Sequence, residues 1–501
     1  MIKIILAFLF CFSVQAEVCL KSFESHAIQQ GGRTKPLYVH ARESLRHLTG
    51  KNSFDGQDPV LTYCNLSLSP RYNAPAVTGL MIPAEHVKLK EFLGVDLSKS
   101  RILAEEALDM KKEIRIELMR QKEETSYKKA LNKLFSRVHL YEEIKTGRNW
   151  LVPMVMGTTV NWVPIATAPF TSKEELQEGL KTADNNFVKE IKSKHIFELK
   201  YAKMRLPQIS MVLTLIALAI LTLFKRFNIA LGFSVLILLL ETGLIAARVY
   251  LSGRAPITNM YETVLFSGYG GLIIALILGH FKKDKTFVFI GLAYNVLCLF
   301  MMNFSTGMLS DSISPLVPVL RDNFWLSTHV TSIILSYGAL ALSWVLANTV
   351  LLKKRLRKID AQDERYYADL IYLCLKVGVV LLAGGVLLGG VWADYSWGRF
   401  WGWDPKETWS LIVLCLYMAI LHGRYTAWIP NKRFIPLVAL AFMSVMMAWF
   451  GVNYILASGL HSYGFSEGGA IFLGSFFAIQ IVFSLLTWTS FDGKKEASAS
   501  A

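Results

Sequence analysis

The sequence predicts an all-α polytopic membrane protein of about nine transmembrane helices, with an α-rich extracytoplasmic domain ahead of them. Two observations carry most of that reading. Of the 501 residues 53% are hydrophobic, and the mean hydropathy is +0.38, more apolar than a soluble chain tolerates. Apolar runs of membrane-crossing length then succeed one another from residue 207 onward, separated by short polar loops. The formal net charge of +15 would suit nucleic acid, but no zinc-finger or RNA-binding motif accompanies it. Cytoplasmic loops rich in Lys and Arg account for it better.

Taken in order, residues 1–16 read as a secretory signal. Lys3 supplies the charged start, Ile4 to Phe12 the apolar centre, and Val14-Gln15-Ala16 a small-residue cleavage site. An uncleaved anchor is the alternative, and either form exports the residues after it. Residues 17–205 form the extracytoplasmic domain. Its start is turn-rich, at Gly31-Gly32-Arg33 and between Pro70 and Pro83. A charged amphipathic part comes next over 100–144, with Ile102, Leu103, Leu108, Ile114, Leu118 and Met119 at helical spacing. Cys19 and Cys64 are its only cysteines. In an oxidising compartment they can pair, yet two isolated thiols without a Cys-x-x-Cys spacing equally suit free residues. His26, His40, His47, His86, His139 and His195 lack ligand spacing and read mostly as surface residues.

Residues 206–491 form the membrane domain. The expected spans are 208–224, 229–251, 263–281, 287–304, 329–352, 370–391, 408–425, 434–457 and 470–488. Basic clusters at Lys225-Arg226, Lys282-Lys283-Lys285, 353–358, Lys432-Arg433 and Lys494-Lys495 fall in alternate loops, which assigns those loops and the tail 492–501 to the cytoplasm. The other loops hold few positive charges and face outside with the N-terminal domain. Cys298, Cys374 and Cys415 lie within spans and read as packing residues.

One outer loop stands apart. Residues 392–409, WADYSWGRFWGWDPKETW, hold five of the twelve tryptophans, with Asp394, Arg399, Asp404, Lys406 and Glu407 between them. An aromatic belt at the headgroup level explains one or two tryptophans but not this density. A flat aromatic surface set with charges suits a large planar apolar ligand bearing carboxylates, and haem is such a ligand. Asp404-Pro405-Lys406-Glu407 reads as a helix start, with Asp404 as N-cap, Pro405 at the first position and Glu407 completing a capping box. That helix N-terminus, Arg399 and Lys406 are candidate partners for haem propionates.

Three histidines bear on such a ligand. His329, at the outer end of the fifth span, and His461, in the last outer loop, share the membrane face of the tryptophans. They suit axial ligation of haem iron from both sides, or are two unrelated interfacial histidines. His422 comes late in the helix that Asp404 caps, about 25 Å toward the cytoplasm. It is either a functional intramembrane group or a side chain snorkelling beside Arg424. His280 reads as a plain span terminus.

At this point the chain resembles a family. Trp397-Gly398, Trp401 and Trp403-Asp404-Pro405-Lys406-Glu407-Thr408-Trp409 resemble the tryptophan-rich WWD signature of haem-handling membrane proteins. Leu421 to Arg424, Trp325 to His329 and Ala255 to Glu262 are similar to the CcsA-type (ResC-like) subunit of the System II cytochrome c synthetase. Residues 32–37 and 41–46 resemble a segment of fused forms of that synthetase. The resemblance implies that His329 and His461 ligate iron at an outer haem site, and that His422 belongs to a second site within the membrane. Trp397, Trp401, Trp403, Asp404 and Trp409 become the platform on which catalysis rests. It further implies haem b as substrate and bound ligand, and holocytochrome c synthase (haem lyase) activity in the bacterial inner membrane, with the loop periplasmic. The implied partners are apocytochrome c, a ResB-like (CcsB) membrane protein and thiol-reducing proteins. One departure is that the family's inner site takes another histidine from the ResB-like partner, and no such span lies between Ala16 and Pro207. A partner supplies it, or His280 replaces it. Rival readings are a haem-delivery protein without covalent chemistry and a transporter with an aromatic gate.

Overall fold

The computed structural model describes residues 18–123, 125–157, 159–191, 193–305, 307–315, 322–356, 358–456 and 469–488. The expected signal segment, His461 and the C-terminal tail lie outside them. The chain divides into two compact units, Met1–Met204 and Arg205–Ala501.

The first unit is α-rich, as expected, but it also holds three antiparallel hairpins that the sequence pattern does not announce. Ala27–Gln30 pairs with Arg33–Pro36, Met81–Pro83 with Arg101–Leu103, and Leu151–Met156 with Thr159–Pro164. Gly31 and Gly32 take φ of 57° and 78°, the left-handed conformations a two-residue hairpin turn requires. Ile102 and Leu103, expected on a helix, are strand residues. Two short partners cannot show enough period to outweigh a helical pattern beside them. The helices around the hairpins start on capping side chains. Asp58 accepts from Val60 N ahead of Pro59–Tyr72, and Ser172 accepts from Glu175 N at 3.1 Å ahead of Lys173–Glu190.

Of the two cysteine readings, pairing is the one realised: Cys19 and Cys64 form a disulfide inside the apolar core, beside Phe23, Tyr63 and Trp150. Three histidines expected at the surface are buried, namely His26, His40 and His195. His40 bridges the Tyr63 hydroxyl at 3.0 Å and Asn149 Oδ1 at 2.8 Å. Burial pushes its pKa down to about 3, and pushes those of His26 and His195 down to about 4. The segment that resembles the fused synthetases forms ion pairs here. Lys35 is buried against Gln30 and Glu43, and Arg33 meets Glu198 at 2.6 Å.

Among the described residues eight stretches are long and apolar enough to cross a membrane, the first reaching Thr222 and the last Gly469–Thr487. The seventh expected span, 408–425, is also a helix, Pro405–Tyr425, but its polar ends make it less apolar than the other eight. Its 21 residues still measure about 31 Å, the thickness of a bilayer core. The burial pattern is that of a membrane protein. Helix Phe227–Ser252 buries Ser234, Glu241 and Arg248, seven residues apart, and exposes Val235, Leu239 and Val249. The buried polar groups are satisfied from neighbouring helices: Asn295 Nδ2 lies 3.0 and 3.1 Å from the two Glu241 oxygens. Cys298 and Cys374 are packed as expected, whereas Cys415 is exposed, because Pro405–Tyr425 buries a narrow stripe of Val413, Tyr417 and Ile420.

Candidate functional site

The tryptophan segment is half helix and half loop. Helix Ala361–Trp397 runs 37 residues, so Trp392 and Trp397, expected on a loop, end a helix. Gly398 stops it at φ 67°. The expected helix start is present: Asp404 accepts from Lys406 N at 2.8 Å, and Glu407 accepts from Asp404 N at 3.2 Å. Glu407 does more than cap. Its carboxylate also accepts from Gly402 N at 2.7 Å and Arg399 Nη1 at 3.2 Å, folding the loop onto the helix N-terminus. Arg399 lies 5.8 Å from the Trp397 ring, and Trp401 and Trp403 meet edge to face at 6.1 Å. Trp403 has φ 56° and is 70% exposed, an uncommon conformation for so large a residue.

Beneath this loop a cleft opens onto about 1170 Å³ of empty space, including open solvent. Its walls come from five places: the segment Ile257–Met260, the helix bearing His329 to Tyr337, the Val386 to Trp392 turns, the loop with Trp401, Lys406 and Glu407, and Ala448, Trp449 and Asn453. From His329 to Tyr337 is two helical turns, so the cleft descends about 12 Å into the membrane unit. Ala361–Trp397 passes close to His329 because Gly389 carries no Cβ; one there would sit 2.5 Å from His329 Cε1.

His329 is held like a ligand. Its Nδ1–H donates to the Gly385 carbonyl at 2.7 Å, and its ring stands edge-on to Trp392 at 5.8 Å. A backbone acceptor at Nδ1 leaves the lone pair on Nε2, the arrangement metal-binding histidines use. Two π-helical segments flank the cleft, Leu326–Val330, which contains His329, and Met447–Leu456. Such widened turns recur at functional sites. Trp449 donates from Nε1 to Thr263 Oγ1 at 3.2 Å, and its ring lies 5.6 Å from that of Tyr337 at a tilt of 39°, the two lining the cleft together. Trp392 Nε1 is buried without a hydrogen-bond partner among the described residues.

The expected site residues therefore divide. His329, Trp401 and Lys406 line the cleft together, while Trp397, Arg399, Trp403, Asp404 and Trp409 are not among its lining residues. Lys406 Nζ donates to Asn453 Oδ1 at 3.3 Å, which sets a cation on the wall. His422 is remote. It shares a helix with Lys406 but lies about 24 Å further along, on an exposed face. His280 is likewise exposed at the far end of Met260–Lys282, whose first residue lines the cleft. Trp449, Tyr337 and Asn453 escape a reading of the sequence, since single polar or aromatic residues inside apolar spans look like packing, and Phe400 is overshadowed by the tryptophans beside it on the loop. Trp392 counts there among the tryptophans but has no separate role. Glu407 reads there as a cap, and the short spacing to Arg399 is the signal for its larger part.

The cleft can be set beside known proteins. The family model for cytochrome C assembly protein matches residues 257–461, which begin at the cleft wall and end at His461. The chain is 33% identical over 286 residues to the cytochrome c biogenesis protein CcsA of Guillardia theta, covering 51% of this chain and 93% of that one. The chain belongs to this family. It is also 30% identical to the CcsA of Gloeobacter violaceus, over 47% of this chain and 86% of the relative. Protein NrfI of Wolinella succinogenes is 37% identical over 223 residues, 43% of this chain and 24% of that longer protein. Membership gives the chain a part in cytochrome c biogenesis, and haem is the group such proteins handle.

Proposed function

We propose that the cleft under residues 392–409 receives haem b and presents it for covalent attachment to an apocytochrome c. The observation that carries this is the meeting of three groups in one space: an imidazole oriented through Nδ1 by Gly385, an indole surface at Trp401, and the Lys406 ammonium. A porphyrin needs an iron ligand, a flat apolar wall and a cation for its carboxylates, and these residues fit each need. His329 supplies one axial nitrogen. His461, five residues beyond the π segment that lines the cleft, supplies the other. Arg399 is held by Glu407, so Lys406 is the propionate partner and Arg399 braces the loop. Trp397, Trp403 and Trp409 extend the aromatic rim, and Asp404 fixes the helix start beneath it.

In the attachment step, each thiol of an incoming Cys-x-x-Cys-His adds across a vinyl group. A carbon–sulfur bond forms, the thiol hydrogen ends on the neighbouring carbon, and no electron leaves. The incoming histidine replaces one axial histidine, so release is a ligand exchange. This chain contributes position and exclusion of water rather than acid–base groups. His422, at the far end of a helix that begins at the cleft, marks an inner haem station whose second histidine comes from a ResB-like partner, or from His280 in its place. The outer face is periplasmic and the membrane the bacterial inner one, in keeping with the basic-loop bias.

The test is holocytochrome yield and haem spectrum in His329→Gly and His461→Gly strains, with and without imidazole. Loss of yield restored by imidazole is the expected result. Wild-type yield in either strain without imidazole rejects that ligand. Haem delivered in bulk without thioether product would instead identify a delivery protein.

A further inference from the structure

Beside the cleft lies a buried ion pair that the proposed reaction does not use. Arg248, on Phe227–Ser252, and Glu262, on Met260–Lys282, are both 1% exposed at the side chain. Arg248 Nη2 and Nε donate to Glu262 Oε1 at 2.7 and 3.1 Å. A pair so deeply buried is weak evidence for stability, because desolvation offsets most of its attraction. Its other bonds indicate what it does. Glu262 Oε2 accepts from Thr258 N at 2.9 Å and Thr258 Oγ1 at 2.8 Å, and Arg248 Nη1 donates to the Asp311 carbonyl at 3.0 Å. Asn259 ties the same region to the Ser312 carbonyl at 3.2 Å. Two outer loops thus converge on one carboxylate and one guanidinium.

The segment so held is the cleft wall. Ile257, one residue before Thr258, packs in a buried cluster with Leu326 and Trp392. Leu326 begins the π turn that carries His329, and Trp392 is the ring against which His329 stands. A continuous set of contacts therefore runs from the ion pair through Thr258 and Ile257 to the imidazole. We infer that Arg248 and Glu262 are positioning residues for the haem site, holding the wall 257–260 so that Trp392 and His329 keep the geometry iron ligation needs. This rests on the haem reading of the cleft.

The test uses the purified full chain, titrated with haem and followed by visible absorption, with thermal unfolding measured alongside. Glu262→Gln keeps the shape but sets an amide N–H against Thr258 N–H and removes the counter-charge of Arg248. The expected result is roughly a tenfold loss of haem affinity and a shift from low-spin toward high-spin iron, reversed by added imidazole. Thr258→Val, which leaves the ion pair and the Thr258 N–H bond intact but removes the hydroxyl's bonds to Glu262 and Arg254, should shift the spectrum the same way by less. It decides the matter if Glu262→Gln fails to fold. A wild-type spectrum and affinity in Thr258→Val, or in a folded Glu262→Gln, overturns the positioning role. His329→Gly is measured in the same series: haem binding indifferent to it overturns the haem reading itself, whereas binding sensitive to it but indifferent to the other two variants overturns only this inference.

Discussion

Gly389→Ala tests the imidazole orientation without touching the imidazole. The added methyl carbon would lie 2.5 Å from His329 Cε1, 2.9 Å from Nδ1 and 3.3 Å from Nε2. Carbon atoms in contact sit about 3.5–4.0 Å apart, so the ring must retreat by roughly 1 Å. The bond from Nδ1 to the Gly385 carbonyl, 2.7 Å now, then stretches beyond useful length. Overpacking costs about 1–3 kcal/mol and the lost bond about 0.5–1.5 kcal/mol. Losing the group that orients a ligating histidine lowers metal affinity by roughly 10–100-fold. Haem titration of the purified chain should show a loss in that range, with a larger high-spin fraction. Gly384→Ala is the control on the same helix, since a Cβ there meets nothing within 4 Å. It should bind haem normally and be slightly more stable, by about 0.5–1 kcal/mol. Wild-type binding in Gly389→Ala, or equal loss in both variants, refutes the reasoning.

Other outcomes are expected from the same structure. Asp404→Ala removes the cap of Pro405–Tyr425, a loss of about 1 kcal/mol, and Trp403→Ala removes an exposed ring. Both proteins should insert and both should fail in cytochrome maturation, and normal holocytochrome yield would remove these residues from the platform. The N-terminal unit should weaken in acid. His26, His40 and His195 are held near pKa 4, 3 and 4 against 6.5 when unfolded. Their neutral forms therefore contribute full stability above pH 6.5, lost as pH falls through 6.5 toward 4. By pH 5 each costs about 2 kcal/mol. Amide protection in helix Leu37–Thr49 of the full chain, measured relative to the intrinsic exchange rate at each pH, should fall over that window, and constant protection would show that the imidazoles are not buried in solution. Cysteine labelling from outside should reach position 406 and the N-terminal unit in intact cells; protection of position 406 would overturn the assigned orientation.

Much of this is open to a reader of the sequence. Spans announce themselves because lipid demands about twenty apolar residues in a row, and the capping box because Asp, Pro and Glu stand at fixed offsets. The tryptophan density draws the eye to the segment that borders the cleft, and a place at the end of a span draws it to His329, which lines the same cleft. What needs the folded chain is which of these groups share a space. Five tryptophans close in sequence divide: Trp392, on a helix, and Trp401, on the loop, line the cleft, and the other three do not. Trp449 and Asn453 arrive from a segment with no local signal, and Glu262 reaches the cleft wall only through its bonds to Thr258. Local patterns are set by neighbours along the chain, and they can be read there. Convergence is set by helix packing at positions such as Gly389 and Gly385, where one missing methyl group lets two helices approach, and that depends on contacts between residues more than fifty apart.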